Sequence, residues 1–177
     1  FKYYNDYDQE GTAITSIEDG SIIALSGGRK YGARGLNRAT DINRQPGSTA
    51  KPLFDYAPYM EYLNGSPGDY FFDEPYAYST GQSINDADRK YQGMITLRKG
   101  LIGSRNVTAL QAFQKVAAKD QSLIENFVHS VGINYGSALY ESASIGGFNG
   151  TNPLEMSAAY AVFGRGGYYI KPYSFTT

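Results

Sequence analysis

The sequence predicts an α+β fold in which two strands come first and helices dominate the remainder of the chain. Three observations carry that prediction: β-branched runs on both sides of Asp19-Gly20, helical spacing of apolar residues in several later stretches, and a return to strand-forming residues from Tyr168. Asp19-Gly20 is the strongest short hairpin signal in the chain and joins Thr12–Glu18 to Ser21–Ser26. From Gly27 to Gly47 glycine and basic residues dominate without a period, which reads as a loop. Helix is expected from Ser48, with Thr49–Leu63 at helical spacing. Pro52 falls in its first turn, where a missing N–H costs little, and Pro58 is expected to kink or end it.

Asn64–Gln92 is long, polar and rich in Tyr, Asp, Gly and Ser, so a functional or covering loop is expected there. Three helices come next, Gly93–Ile102, Val107–Ala118 and Gln121–Val131, the last closed by Gly132. After the glycine-rich stretch Gly146-Gly147 to Gly150, Asn152-Pro153 opens a helix running to about Phe163. Tyr168–Phe175 then begins a strand. Two strands alone rarely make a stable sheet, so the sheet is expected to be unfinished within these residues.

Composition removes several function classes. At 177 residues and 41% apolar the chain is long enough to bury a core, and a net charge of −1 with dispersed Lys and Arg offers no footprint for nucleic acid. No apolar run approaches a membrane span. The chain opens at Phe1-Lys2 with no start methionine, which reads as a piece of a longer protein. With no Cys and one His, cysteine metal sites, thiol catalysis and a Ser-His-Asp triad have little to work with, and no metal or cofactor is expected. His129 lies in an apolar-periodic stretch and reads as a helix-surface or packed residue. The 17 Tyr cluster at Tyr56–Tyr78 and Tyr168–Tyr173, where burial with a satisfied hydroxyl is the commoner use and sugar or peptide binding the other.

The chemistry-bearing pattern is Gln45-Pro46-Gly47-Ser48-Thr49-Ala50-Lys51-Pro52. On a helix Ser48 and Lys51 share a face. A lysine beside a serine can take its proton only when neutral, which requires a lowered pKa. Roughly one Ser-x-x-Lys match is expected by chance in a chain of this length. On spacing alone the pair also fits a capped helix N-terminus with a solvated lysine. A second candidate, Ser104-Arg105-Asn106, sits in the short break between two expected helices, where side chains can project into a cleft. The similar Ser83-Ile84-Asn85 lies in the polar loop and reads as coincidence.

Taken together, Arg44 through Pro52, Ser104-Arg105-Asn106-Val107-Thr108-Ala109-Leu110, Ile145-Gly146-Gly147 and Asn152-Pro153-Leu154-Glu155-Met156 with Ala158-Ala159-Tyr160 resemble the transpeptidase domain of class A penicillin-binding proteins. The resemblance covers most of the chain. It implies the penicillin-binding-protein and serine β-lactamase-like fold, and a peptidoglycan D,D-transpeptidase that β-lactams inhibit. Ser48 would be the acylated nucleophile, Lys51 its base, Ser104 the proton relay to the departing D-alanine nitrogen, and Asn106 a ligand to both the substrate amide and Lys51. The Ser48 backbone N–H would be one oxyanion donor. Substrates would be stem peptides, and the parent protein would carry an upstream glycosyltransferase domain and sit at the outer face of the cytoplasmic membrane.

The family's Lys-Thr/Ser-Gly tripeptide is absent from the chain; Lys30-Tyr31-Gly32 has the wrong middle residue and precedes the nucleophile. Residues 1–177 are therefore expected to be the N-terminal portion of the domain, needing a complementary C-terminal chain that carries this strand. Loss of one oxyanion donor costs about 2.7–4 kcal/mol, so these residues alone are expected to be nearly inactive. Two alternatives use the same fold. A serine β-lactamase needs a carboxylate to activate water, and Glu74-Pro75 precedes Ser104 where the class A enzymes place theirs after the second motif. A non-catalytic sensor or wall-binding module would need none of the proton-transfer residues that are intact here.

Overall fold

A computed structural model of the chain describes residues 5, 7–29, 32–136 and 138–175, so Lys30 and Tyr31 fall outside the described residues. In chain order its strands and α-helices are β1 (Thr12–Thr15), β2 (Ile22–Ser26), α1 (Ala57–Leu63), β3 (Tyr70–Asp73), β4 (Tyr76–Ala77), β5 (Ser83–Ile84), β6 (Gly93–Thr96), α2 (Leu97–Ile102), α3 (Asn106–Ser130) and α4 (Pro153–Gly164). They fall into two compact units. One draws on residues up to Arg44, Ser130–Ile133 and the chain from Thr151; the other comprises Gln45–His129 and Asn134–Gly150.

In the first unit β1 and β2 pair antiparallel, with Thr12 opposite Ser26 and Ile14 opposite Ala24. The first strand ends at Thr15 rather than Glu18. Ser16 N–H donates to Ser21 O and Gly20 N–H to Ser16 O, and this tight connection takes the intervening residues out of the ladder. Gly20 adopts φ +80°, a conformation that favours glycine. Asn152 caps α4 by accepting from Glu155 N–H at 2.9 Å, with Pro153 at the first helical position as expected. The helix meets β1, where Thr15 Oγ1 and Ser157 Oγ are 2.8 Å apart. Of the strand expected over Tyr168–Phe175 one bridge forms: Tyr173 pairs parallel with Ser21, and Ile22 N–H donates to Tyr173 O at 2.9 Å.

The second unit corrects three expectations. The helix that begins near Ser48 opens as a 3-10 turn over Gly47–Ala50, widens into a π-helical turn over Pro52–Tyr56 and continues as α1. It does not end at Pro58, because the wide turn just before that residue absorbs the missing N–H. Asn64–Gln92 is not one loop: β3 pairs with β6 and β4 with β5, all antiparallel. The expected helix over Gly93–Ile102 is strand for its first four residues, since Met94 and Ile95 pair with Phe72 and Phe71. Thr96 then caps α2, its Oγ1 accepting from Lys99 N–H at 3.2 Å.

The two helices expected over Val107–Ala118 and Gln121–Val131 form the single long element α3, broken at Asp120 with φ −171° and ψ 118°. Asp120 Oδ1 accepts from Ser122 N–H at 2.8 Å and so starts the second half. His129 is exposed in the last turn, its ring 4.6 Å from that of Tyr135. One core cluster of the unit gathers Tyr56, Phe71, Leu97, Ala109 and Ala112, and another gathers Ile84, Val107 and Leu110. Gly100 allows α2 to approach α3, because a Cβ there would lie 2.5 Å from Thr108 Oγ1.

Candidate active site

Gly47 turns the chain with φ +59° immediately before Ser48, and the 3-10 turn then carries Ser48 at its exposed start and Lys51 into the interior. In a 3-10 turn residues three apart eclipse, so Ser48 and Lys51 stand on one face. Behind the turn is Gly146, the end of a second 3-10 turn, Glu141–Ile145. A Cβ on Gly146 would lie 2.4 Å from Gly47 N, and its φ is +89°, so only glycine permits this approach. Phe148 stacks on Phe54 at 4.9 Å and holds the same loop against the helix that bears Lys51.

Lys51 is 0% exposed. Its Nζ donates to Ser104 O at 2.6 Å, Ser104 Oγ at 3.2 Å and Asn106 Oδ1 at 2.7 Å. The structure thus joins the two motifs through the lysine. Among the described residues Ser48 Oγ makes no hydrogen bond. Burial lowers the Lys51 pKa to about 8, with Asp55 and Asp86 opposing the fall and the positive Arg105 adding to it. At pH 7 about one lysine in ten is then neutral.

Ser104 and Asn106 are set by a cluster of charges that spacing did not reveal. Arg105 is buried, with Nε 2.9 Å from Asp73 Oδ2, Nη2 3.0 Å from Asp86 Oδ2 and Nη1 3.0 Å from Asp88 Oδ1. It also donates to Lys90 O. Burial works against its charge, but the three aspartates outweigh that effect and hold its pKa above the usual arginine value. The Asp73 carboxyl is pushed up by burial and by its contact with Asp86. Asp86 Oδ1 accepts from Asn106 N–H and, at 3.4 Å, from Val107 N–H, which caps α3 from outside the helix. Ser104, two residues before Asn106, is held at φ +49°, a left-handed conformation uncommon for a residue with a side chain.

Ser83-Ile84-Asn85, a coincidence by its place in the sequence, belongs to the site's support. Asn85 O accepts from Asn106 Nδ2 at 2.7 Å, which fixes the Asn106 amide with its oxygen toward Lys51. Asp55, four residues beyond Lys51, is fully buried, and neither of its carboxylate oxygens has a hydrogen-bond partner among the described residues. Burial raises its pKa well above the usual carboxylate range, against the pull of Lys51. Among the described residues no group of His, Cys, Asp and Glu is arranged to hold a metal ion.

The structure thus sets an exposed serine on a glycine-backed turn, three residues before a buried lysine that is tied to a Ser-x-Asn segment. Residues 11–176 match the penicillin binding protein transpeptidase domain family, and the chain belongs to that family. It is 40% identical over 93% of its length to penicillin-binding protein 1A/1B of Bacillus subtilis, and 36% identical over 96% to penicillin-binding protein 1A of Streptococcus pneumoniae. It spans only 18% and 25% of those two proteins. The crystal structure of penicillin-binding protein 1A from Haemophilus influenzae superposes with a TM-score of 0.81 at 31% identity, covering 93% of this chain and 25% of that one. PonA1 of Mycobacterium tuberculosis, solved in complex with penicillin V, shares the fold with a TM-score of 0.77 at 18% identity over 94% of this chain and 46% of that one. Among the described residues no helix is long and apolar enough to cross a membrane.

Proposed function

We propose that this chain carries the acylation centre of a peptidoglycan D,D-transpeptidase. The observation that supports it best is Lys51 Nζ, bonded at once to Ser104 and Asn106 and eclipsed with the exposed Ser48. In this reading neutral Lys51 accepts the Ser48 proton as Oγ bonds to the penultimate D-alanine carbonyl of a stem peptide. The negative charge that develops on the carbonyl oxygen is met by the Ser48 backbone N–H. The proton passes through Ser104 Oγ to the amide nitrogen as the C–N bond breaks, releasing D-alanine and leaving an ester on Ser48. An amine of a second stem peptide attacks the ester, its proton returns by the same route, and Ser48 is regenerated with the cross-link formed.

A β-lactam takes the first half of this path. Ring opening keeps the leaving nitrogen tethered, and Ser48 stays acylated. The short span relative to the two curated relatives and the lack of a Lys-Thr/Ser-Gly tripeptide support reading these residues as the N-terminal portion of the domain, completed by a C-terminal segment. The class A relatives support an upstream glycosyltransferase domain and an anchored position at the outer face of the membrane. Intact-mass analysis after labelled penicillin, with that C-terminal segment present, tests the proposal. One adduct on Ser48, absent in Ser48→Ala, is expected; an adduct elsewhere overturns it.

A further inference from the structure

A second cleft lies in the same unit, lined by tyrosines that the acylation chemistry does not use. It has a volume of about 790 Å³, and its lining includes Tyr78, Thr80, Gln82, Gln121, Glu125 and Tyr140. Clefts of about 300–1,000 Å³ are the size that encloses a small organic ligand. Its two acids accept hydrogen bonds from neutral donors of the protein. Glu141 accepts from Ser79 N–H at 2.7 Å, Ser79 Oγ at 2.5 Å and Gln114 Nε2 at 2.8 Å, and Glu125 accepts from Gln121 Nε2 at 3.0 Å. No Lys or Arg is among the described residues of the lining, so an anionic ligand meets no counter-charge.

The other polar side chains of the lining are neutral. Among the described residues the hydroxyls of Tyr78, Thr80 and Tyr140 and the amide of Gln82 make no hydrogen bond within the protein. Tyr140, part of the lining, is 71% exposed. Phenol faces that cover C–H surfaces, combined with free hydroxyls and an amide, suit a ligand rich in hydroxyl and acetamide groups. A peptide segment with free carboxylates lacks a counter-charge here.

Position supplies the second part of the inference. The Glu141–Ile145 turn bears the cleft at its first residue and leads at its other end to Gly146, seated on Gly47 beside Ser48. Five residues of 3-10 helix span about 10 Å. Three extended peptide residues span about the same distance.

We propose that this cleft binds an N-acetylated sugar of the glycan strand whose stem peptide reaches Ser48. The identity of the sugar rests on the peptidoglycan reading; the recognition of a neutral saccharide rests on the cleft. Chitotriose, a β-1,4-linked trimer of N-acetylglucosamine, is the probe, with saturation-transfer NMR on the intact protein run alongside penicillin labelling of Ser48. Saturable binding is expected, with the acetamide methyls most strongly affected. Tyr140→Ala and Gln82→Ala should each weaken it at least fivefold and leave penicillin labelling unchanged, since both side chains are exposed and outside the acylation centre. Absence of saturable binding, unchanged affinity in the double variant, or displacement of the sugar by a neutral acetylated alanine tripeptide would overturn the proposal. Labelling without sugar binding overturns the cleft alone; sugar binding without labelling counts against the acylation reading and leaves the cleft standing.

Discussion

Lys51 Nζ and Asn106 Oδ1 are 2.7 Å apart, although 55 positions separate the two residues in sequence. With Ser104 O at 2.6 Å and Ser104 Oγ at 3.2 Å, the amide oxygen completes three acceptors for the three N–H bonds of an ammonium. The resting arrangement therefore suits charged Lys51. In the proposed mechanism acylation draws on the neutral minority, in which Nζ can accept the Ser48 proton.

Asn106 is expected to control that switch. Asn106→Ala removes one bond to a charged group, worth about 1.5–3 kcal/mol, so acylation by a fluorescent penicillin should slow by roughly 10- to 100-fold. Asn106→Asp keeps an acceptor and adds a negative charge beside Lys51, which raises the lysine pKa. Its rate should recover as pH increases, whereas that of Asn106→Ala should stay low. Parallel pH profiles for the two variants would remove Asn106 from this role.

Asp86 does two separable jobs, capping α3 and neutralising Arg105. Asp86→Ala leaves Asn106 N–H and Val107 N–H without their acceptor and Arg105 with one carboxylate fewer, and breaking such a buried pair costs about 3–5 kcal/mol. Asp86→Asn retains an oxygen for the cap and loses only charge. Urea denaturation should rank wild type above Asp86→Asn and Asp86→Asn above Asp86→Ala. Penicillin labelling should keep the same order, because Ser104 and Asn106 flank the arginine that Asp86 holds.

The proposed nucleophile and its partners are short-range patterns, Ser48 with Lys51 and Ser104 with Asn106, and they are legible through the family resemblance, since a Ser-x-x-Lys spacing alone is expected about once by chance. The break at Asp120 is legible too, since Lys119-Asp120 interrupts two apolar periods. The charges that hold the site are not. Asp73, Asp86 and Asp88 look like ordinary polar residues of a loop, and only the pairing of β3 with β6 shows that Phe71 and Asp73 point inward while Tyr70 and Phe72 face outward. Four-residue strands carry too few alternations to stand out from their flanks, and Gly93–Thr96 accordingly blends into the helical pattern of α2.

Gly146 illustrates a motif residue whose reason is steric. Adding a methyl group places it 2.4 Å from Gly47 N and 2.5 Å from Gly47 O, both backbone atoms that cannot rotate aside. Gly146→Ala is expected to destabilise the unit by about 1–3 kcal/mol through overpacking, with further strain from its φ of +89°. The displaced atoms belong to the residue before Ser48. Penicillin labelling should therefore fall more steeply than the loss of folded protein explains. Labelling that merely tracks the folded fraction would show that the turn tolerates the shift.

Lys51 and Asp55 predict opposite pH effects in different windows. Asp55 has a folded pKa well above its unfolded value of 3.8, so both states hold its proton below 3.8 and its contribution to stability is complete there. As pH rises from 3.8, the unfolded chain releases that proton while the folded chain keeps it, and stability declines until the folded pKa is passed. Lys51 behaves in reverse, because its pKa falls from 10.5 unfolded to about 8 folded. Between about 8 and 10.5 the unfolded chain holds more protons, so stability rises with pH. Asp55→Asn should shrink the decline that begins near 3.8, leaving the part that the raised Asp73 contributes, and preserve the rise above 8, read as urea midpoints across that range. In the wild type the acylation rate should increase nearly tenfold per pH unit below 8 and level off above it, as neutral Lys51 becomes the main form. A rate independent of pH between about 6 and 9, with labelling intact, would exclude Lys51 as the group that takes the Ser48 proton.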